Sequence, residues 1–502
     1  MIGTIARKEF REIVRDGRFK WTAAFMFLLL LTALLAGWQR YAAYSDARHK
    51  AQAASEYQWL NQGDKNPHSA AHYGNYAFKP AGPLSFFDFG VENYTGRQVF
   101  MEAHKQNFAI DRAVADSSAI ARFGELSGAM ILQVLLPLFI VFLGFTAFAG
   151  ERESGTLRQL ESTGVRRTQL LWGKALGIGA AVALVTLPCL AIGALALSLT
   201  DAGARSDPQF GARTAIMALS YLLYAGIFLF LTLGVSALAH TARAALVALV
   251  GFWAFASFLA PKIAGELSRV VHPSPSFGEF TAALRTDQMQ GLDGVSPWVK
   301  VEAYKQELFQ KYGVDKVADL PVYWPATRMQ FLENFDEPIF DLHYGRVAAT
   351  YAAQQRVQEV AGVLAPTLPL RSVSMGLAGT DLVHHDRFMA AAETYRRDMV
   401  ERMNGYLAKA ASSLNASYSS SNYMTADEKV FAMVPPFTYV PPSLADTLRA
   451  HALGLGVLFG PVLNLTDAGG ARRYQAIVNV TAGTKGGRGV TSIGGYRSRA
   501  PP

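Results

Sequence analysis

Few side chains in this 502-residue chain stand where chemistry could be done. His68 and His72 are four apart, a spacing that sets two metal ligands on one helix face. Pro67 and Gly74 flank them and no acidic third ligand is near in sequence, so surface histidines are the expectation. His384, His385 and Asp386 are consecutive. Adjacent helical residues point apart, so polar contacts are expected of them and a shared ion is not. No catalytic group, metal site or cofactor site is expected in this chain. No G-x-x-x-x-G-K-[ST] run occurs, so the usual cradle for ATP is missing from the sequence. The single cysteine, Cys189, excludes an intrachain disulfide and a zinc site built on cysteines. One charged run has a shape of its own: Glu151-Arg152-Glu153-Ser154-Gly155-Thr156-Leu157-Arg158-Gln159-Leu160. Gly155 can turn the chain, Thr156 can cap a short helix, and Gly164 can end it. An anchor that merely fixes topology explains the basic residues, but neither the two glutamates nor the Gly-Thr-Leu step.

The elements that must position this run are apolar. Half of the residues are hydrophobic (51%) and only 17% are charged, against roughly 25% charged in soluble proteins. The apolar residues gather in long uncharged blocks. Trp21–Trp38, Leu126–Gly150, Ala175–Thr200, Thr214–Ala239 and Ala244–Pro261 run 18, 25, 26, 26 and 18 residues, enough at 1.5 Å per residue to cross a hydrocarbon core of ~30 Å. Ala452–Thr466 has 15 residues, includes Asn464, and is a marginal sixth span. The five long blocks hold no Asp, Glu, Lys, Arg or His, which disfavours an ion relay at membrane depth and favours energy delivered from outside the bilayer. Pro137 and Pro188 fall inside spans two and three, where each can free a backbone carbonyl. Gly177, Gly179 and Gly193 in span three permit close helix approach.

Two hydrophilic insertions, 39–125 and 262–450, separate the blocks. Tyr41–Leu60 and Gly96–Arg122 are expected to be helical, as are Gly345–Leu364 and Arg387–Ser413. Met433–Pro442 is a stiff proline-rich lead back to the membrane, and the tail 467–502 is expected to be disordered. Residues 1–20 open with an amphipathic helix, Ile2–Val14, whose apolar side includes Phe10 and whose polar side carries Arg7, Lys8 and Arg11, suited to the headgroup layer of a lipid bilayer. Six Lys or Arg precede Trp21, and five lie in 151–174. The positive-inside rule puts both segments and the N-terminus in the cytoplasm, and both insertions outside. In a bacterium that means a multi-pass protein of the inner membrane with periplasmic or extracellular insertions. The net charge of +8 belongs to this topology. No nucleic-acid partner is expected, because no basic stretch is interleaved with stacking aromatics. The fold class is an all-α polytopic membrane protein with six transmembrane helices and two mostly helical extracytoplasmic insertions.

The order of parts resembles the ABC-2 type permease family: an interfacial helix, span one, an outer insertion, span two, then E-[RK]-E-x-G-T-L, complete here at Glu151 to Leu157. Gly164 stands where the family often has a proline. A second pattern resembles a subgroup with large extracytoplasmic domains: Pro366, Pro369, Ser372, Ser374, Ala378-Gly379-Thr380-Asp381, His384, Phe388, Glu393-Thr394-Tyr395-Arg396 and Asn404. The resemblance covers roughly residues 1–465. It implies an ABC exporter subunit with no enzymatic activity of its own. ATP and Mg would then sit in a partner ATPase, and a second permease subunit would complete a homo- or heterodimer. It assigns ATPase coupling to Glu151, Arg152, Glu153, Gly155, Thr156 and Leu157, and a connecting role to the interfacial helix. The alternative is a membrane-anchored scaffold that presents its outer domains to an envelope partner.

Overall fold

A computed structural model describes residues 1–82, 84–115, 126–200, 208–415 and 424–466. The expected disorder of 467–502 lies outside the described residues. The fold is the all-α polytopic one, with five helices among the described residues long and apolar enough to cross a membrane. Helix α1 (Ile2–Arg15) stops at Asp16, whose extended backbone and carboxylate, accepting from Arg18 N at 2.8 Å, start α2 (Gly17–Leu60) without a linker. At 44 residues α2 is about 66 Å long. It therefore crosses the bilayer and continues as a stalk, and Tyr41–Leu60 is helical as expected. The short α3 (Pro67–Tyr73) is capped by Asn66, which accepts from His68 N and Ser69 N.

The expected helix over Gly96–Arg122 is not found. Residues 98–101 form strand β2 (Gln98–Met101), antiparallel to β1 (Asn75–Phe78) in the register Asn75↔Met101. Val99 and Met101 are buried and their neighbours half-exposed, a period of two that a four-residue run hides from a helical search. Gly96, His104 and Asp111 have positive φ, which a helix cannot absorb. Residues 116–125 lie outside the described set.

Span two is α4 (Gly128–Glu153). It carries a π turn at Ile131–Leu135, two residues before Pro137. Pro137 has no N–H for the carbonyl of Gln133. Tyr224 OH donates to that oxygen at 2.5 Å, and Trp253 Nε1 donates to Val134 O at 2.7 Å. Two neighbouring spans thus satisfy the carbonyls at the bulge, as the bilayer requires. The short α5 (Thr156–Ser162) leads into α6 (Arg167–Thr200), then α7 (Phe210–Leu238) and α8 (Ala242–Val271). Helix α8 repeats the device, with a π turn at Phe255–Leu259 two residues before Pro261.

The second insertion holds α9 (Phe277–Gln290), α10 (Pro297–Tyr312), α11 (Trp324–Ala361), α12 (Thr367–Ala378) and α13 (Leu382–Ala410). Two helices close the described chain, α14 (Leu444–Ala450) and α15 (Ala452–Thr466). Helix α12 is buried nearly all round and belongs to the same apolar core as the spans. Its Ser374 hydroxyl joins Tyr221 of α7 to Asp88, and its Thr367 meets Tyr224. At 15 residues α15 is about 22 Å long, short of the hydrocarbon core, but Leu458 packs into that shared core.

The residues of the second sequence pattern owe their type to this seam. Asp381 caps α13 by accepting from His384 N at 3.0 Å, and it also takes His384 Nδ1. His451 Nε2 reaches Asp381 at 2.7 Å, while its Nδ1 meets Ser372 Oγ at 2.8 Å beside Glu359. His385 Nδ1 is buried without a hydrogen-bond partner among the described residues, so the polar contact expected of it is not found there. Burial lowers His385 to about 4, helped by the charges of Lys79 and Arg112. Burial and then the Asp381 charge raise Asp386 to about 6.

Burial alone works against a charged His451, but its bonds to Asp381 and Glu359 outweigh that and raise it to about 9. A histidine raised in the fold stabilises below its unfolded value, near 6.5, and loses that contribution as pH climbs through its folded value. Thermal stability should therefore fall between pH 6.5 and 9, by on the order of 3 kcal/mol from this residue. Melting curves of wild type and His451→Gln across that window check it. A variant that keeps the full slope would refute the assignment.

Candidate functional site

The Glu151–Leu160 run begins where α4 leaves the apolar core. A turn at 145–148 precedes it, and Ser236 of α7 closes that turn. Its hydroxyl accepts from Phe148 N and Ala149 N at 3.0 and 3.1 Å and donates to Phe145 O at 2.8 Å. Arg152 reaches back to the C-terminal end of α7, donating to Ala237 O at 2.6 Å and to Ala239 O. The cation thus complements the negative end of that helix. Gly155 sits at φ +76° and is itself the cap residue of α5. Thr156, expected to cap, is the first helical residue instead. Its hydroxyl donates to Glu151 O at 3.3 Å, because only the glycine can take the left-handed backbone that precedes it. Gly164 ends the helix segment with φ +79°.

The helix has two sides. Leu157 and Leu160 turn inward onto Ala147, Phe148, Val165 and Leu170. Glu153, Thr156, Arg158 and Gln159 are exposed. Glu151 turns inward as well, to Lys174 at the start of span three. Lys174 is 2% exposed and binds two carboxylates, Glu9 Oε1 at 2.5 Å and Glu151 Oε1 at 2.8 Å. Glu9 comes from α1, so one ammonium ties the N-terminal helix, the charged run and α6 together.

The sequence reading missed Glu9. Its signal was an acid in line with Ile5 and Ile13, on the apolar stripe of an otherwise basic helix. Helix α1 lies on α6 through Gly173 and Gly177. A Cβ at Gly173 would stand 2.6 Å from Ile5 Cβ, and one at Gly177 2.6 Å from Glu9 Cβ. Gly177 therefore serves packing within one subunit. Arg7, Lys8 and Arg11 remain exposed, and Phe10 is half-buried against the core. Burial opposes the charge on Lys8, but the carboxylates of Glu12, Glu9 and Glu151 outweigh it and raise its pKa.

The profile of the ABC-2 family transporter protein family matches residues 3–320, which include every element of this site. The chain belongs to the ABC-2 transporter family. A domain of unknown function, DUF3526, matches residues 292–440. The permease is 36% identical over 121 residues to "Probable ABC transporter permease protein NosY" of Pseudomonas aeruginosa, covering 24% of this chain and 44% of that protein. The protein of the same name from Stutzerimonas stutzeri is 36% identical over 95 residues, 19% of this chain and 34% of its own length. These matches span less than half of either relative. Family and apolar helices together make the chain a multi-pass membrane transporter permease.

A second cluster was misread in the sequence. His68 is buried, not on the surface, and its ring meets those of His72 and His104. One ligand atom from each of the three lies within 4.8 Å of the other two. His104 stands 36 residues beyond His68, at a positive-φ corner after β2, where no spacing rule looks.

Proposed function

We propose that the permease is the membrane-spanning subunit of an ATP-driven exporter of the bacterial inner membrane. It pairs with a second permease subunit, identical or related. A separate ATPase binds ATP and Mg and docks on the exposed side of α5, with Arg7, Lys8 and Arg11 of α1 at its margin. The N-terminus and the 151–174 loop face the cytoplasm, and both insertions face outward.

The observation that carries this reading is the division of labour along the charged run. Glu153, Thr156, Arg158 and Gln159 offer an outer face. Leu157, Leu160, Arg152 and the Glu151–Lys174–Glu9 triad bind the inner face to α4, α6, α7 and α1. A push on the outer face therefore cannot stay local. The closely packed apolar core transmits it to several spans at once.

Charge removal on the outer face tests the docking. Glu153→Ala/Arg158→Ala touches no buried partner, so the permease should fold and insert normally. Its affinity for a P-loop ATPase co-expressed with it should fall at least about tenfold, equivalent to 1.4 kcal/mol, and ATP-driven transport should fall with it. Unchanged association and transport in the double variant would refute the assignment of this face.

A further inference from the structure

Outside the loop just described, the strongest chemistry lies where the first insertion meets the second. We propose that His68, His72 and His104 form a binding site for one divalent transition cation of the Zn2+ class.

The geometry comes first. His68 Nε2 lies 3.1 Å from His72 Nε2 and 3.2 Å from His104 Nε2. Donors held at 2.0–2.1 Å around a tetrahedral ion stand roughly 3.3 Å apart. Two of the three separations therefore already match ligands of a single centre, and the third pair lies within 4.8 Å.

Hydrogen bonding decides which nitrogens carry lone pairs. Asn404 donates its amide N–H to Gln330 Oε1 at 3.0 Å, which fixes its Oδ1 as the atom facing His68 Nδ1 at 2.8 Å. His68 Nδ1 must then donate, and in the neutral ring Nε2 carries a lone pair. Glu333 Oε1 lies 2.6 Å from His104 Nδ1 and accepts its proton in the same way. With both rings neutral, two lone pairs then face each other at 3.2 Å. Such a pair repels unless a cation or a shared proton lies between. An amide behind His68 and a carboxylate behind His104 are the outer arrangement that orients histidine ligands on a metal.

The donor set selects the ion. Three imidazoles with no thiolate and no carboxylate in the inner set suit Zn2+ and its neighbours, not Mg2+ or Ca2+, which take oxygen. His72 is exposed, so the site opens to solvent there and leaves a fourth position for water or a further ligand. Asn404 and Glu333 belong to α13 and α11, whereas the three ligands belong to the first insertion. A bound ion would therefore tie α3 to the corner after β2, with two of its ligands braced by α13 and α11.

The test uses the full-length permease without a polyhistidine tag, stripped with chelator and titrated with Zn2+ against a chromophoric competitor. One ion per chain is expected, with Mg2+ and Ca2+ failing to compete. His72→Ala, at an exposed position, should weaken binding at least about 100-fold. Glu333→Gln should weaken it about 10- to 100-fold. X-ray absorption of the Zn2+-loaded wild type should show nitrogen ligands at ~2.0–2.1 Å. That measurement stands even if a variant misfolds. No stoichiometric binding, binding unchanged in His72→Ala, or an ion held by oxygen alone would overturn the proposal.

Discussion

Lys174→Met should destabilise the permease by about 3–5 kcal/mol, because removing one partner leaves buried charge uncompensated. Lys174 is 2% exposed, and the carboxylates it serves, on Glu9 and Glu151, are 12% and 17% exposed. Water reaches neither freely. Methionine keeps the apolar stem, so the loss reads out the ammonium and not a cavity. Without it Glu9 and Glu151 repel, and α1 should lift from α6. Faster hydrogen exchange over residues 2–15 and a lower melting temperature measure this directly. Lys174→Met/Glu9→Gln/Glu151→Gln should recover much of the loss, since neutral amides remove the repulsion. Slow exchange in α1 of the single variant would show that glycine-mediated packing holds the helix unaided.

The second large effect belongs to the second insertion. Arg396 is 2% exposed and forks onto both oxygens of Glu393 at 2.8 and 2.9 Å, with a third bond to Glu333 Oε2 at 3.1 Å. Arg396→Met should also destabilise the fold, by about 3 kcal/mol, because the buried Glu393 then keeps only Arg397 and the buried Glu333 only His104. Arg396→Lys should fall between the two, because an ammonium keeps the charge but not the planar fork. Limited proteolysis should then cut the second insertion first, while the spans stay protected. Equal protease resistance in Arg396→Met and wild type would contradict this.

These two ion clusters show what the sequence can and cannot reveal. The spans were legible because 18 or more uncharged residues in a row have few other uses. The amphipathic α1 was legible from its helical period, and the Glu-Arg-Glu-Ser-Gly-Thr-Leu run from its shape. Partners across the fold were not. Glu9 and Lys174 are 165 positions apart, and Arg396 and Glu333 are 63. Each looks like an ordinary surface charge until packing buries it. The β1–β2 pair escaped notice because four residues give a period of two almost no signal. Pro137 announced a free carbonyl at Gln133, but only the fold supplies Tyr224 to fill it. His68 and His72 gave half of a ligand set, and the decisive third histidine arrives through a corner of the chain. Ser372, Asp381, Glu393 and Asn404 were picked out by resemblance alone. Their burial shows a structural reason, since each completes a polar network that would otherwise be left unpaired.

A cysteine at Glu153 tests ATPase docking most directly. Cys189, the chain's one cysteine, is buried, so the new thiol would be the accessible one. In membranes that also contain the P-loop ATPase, a short maleimide–succinimidyl ester should join the Glu153→Cys thiol to a lysine amine of that ATPase, with a yield that changes when ATP is added. Val299→Cys, 61% exposed on α10 in the second insertion, should give no such product. Absence of the cross-link at position 153, or an equal one at position 299, would contradict coupling through this loop.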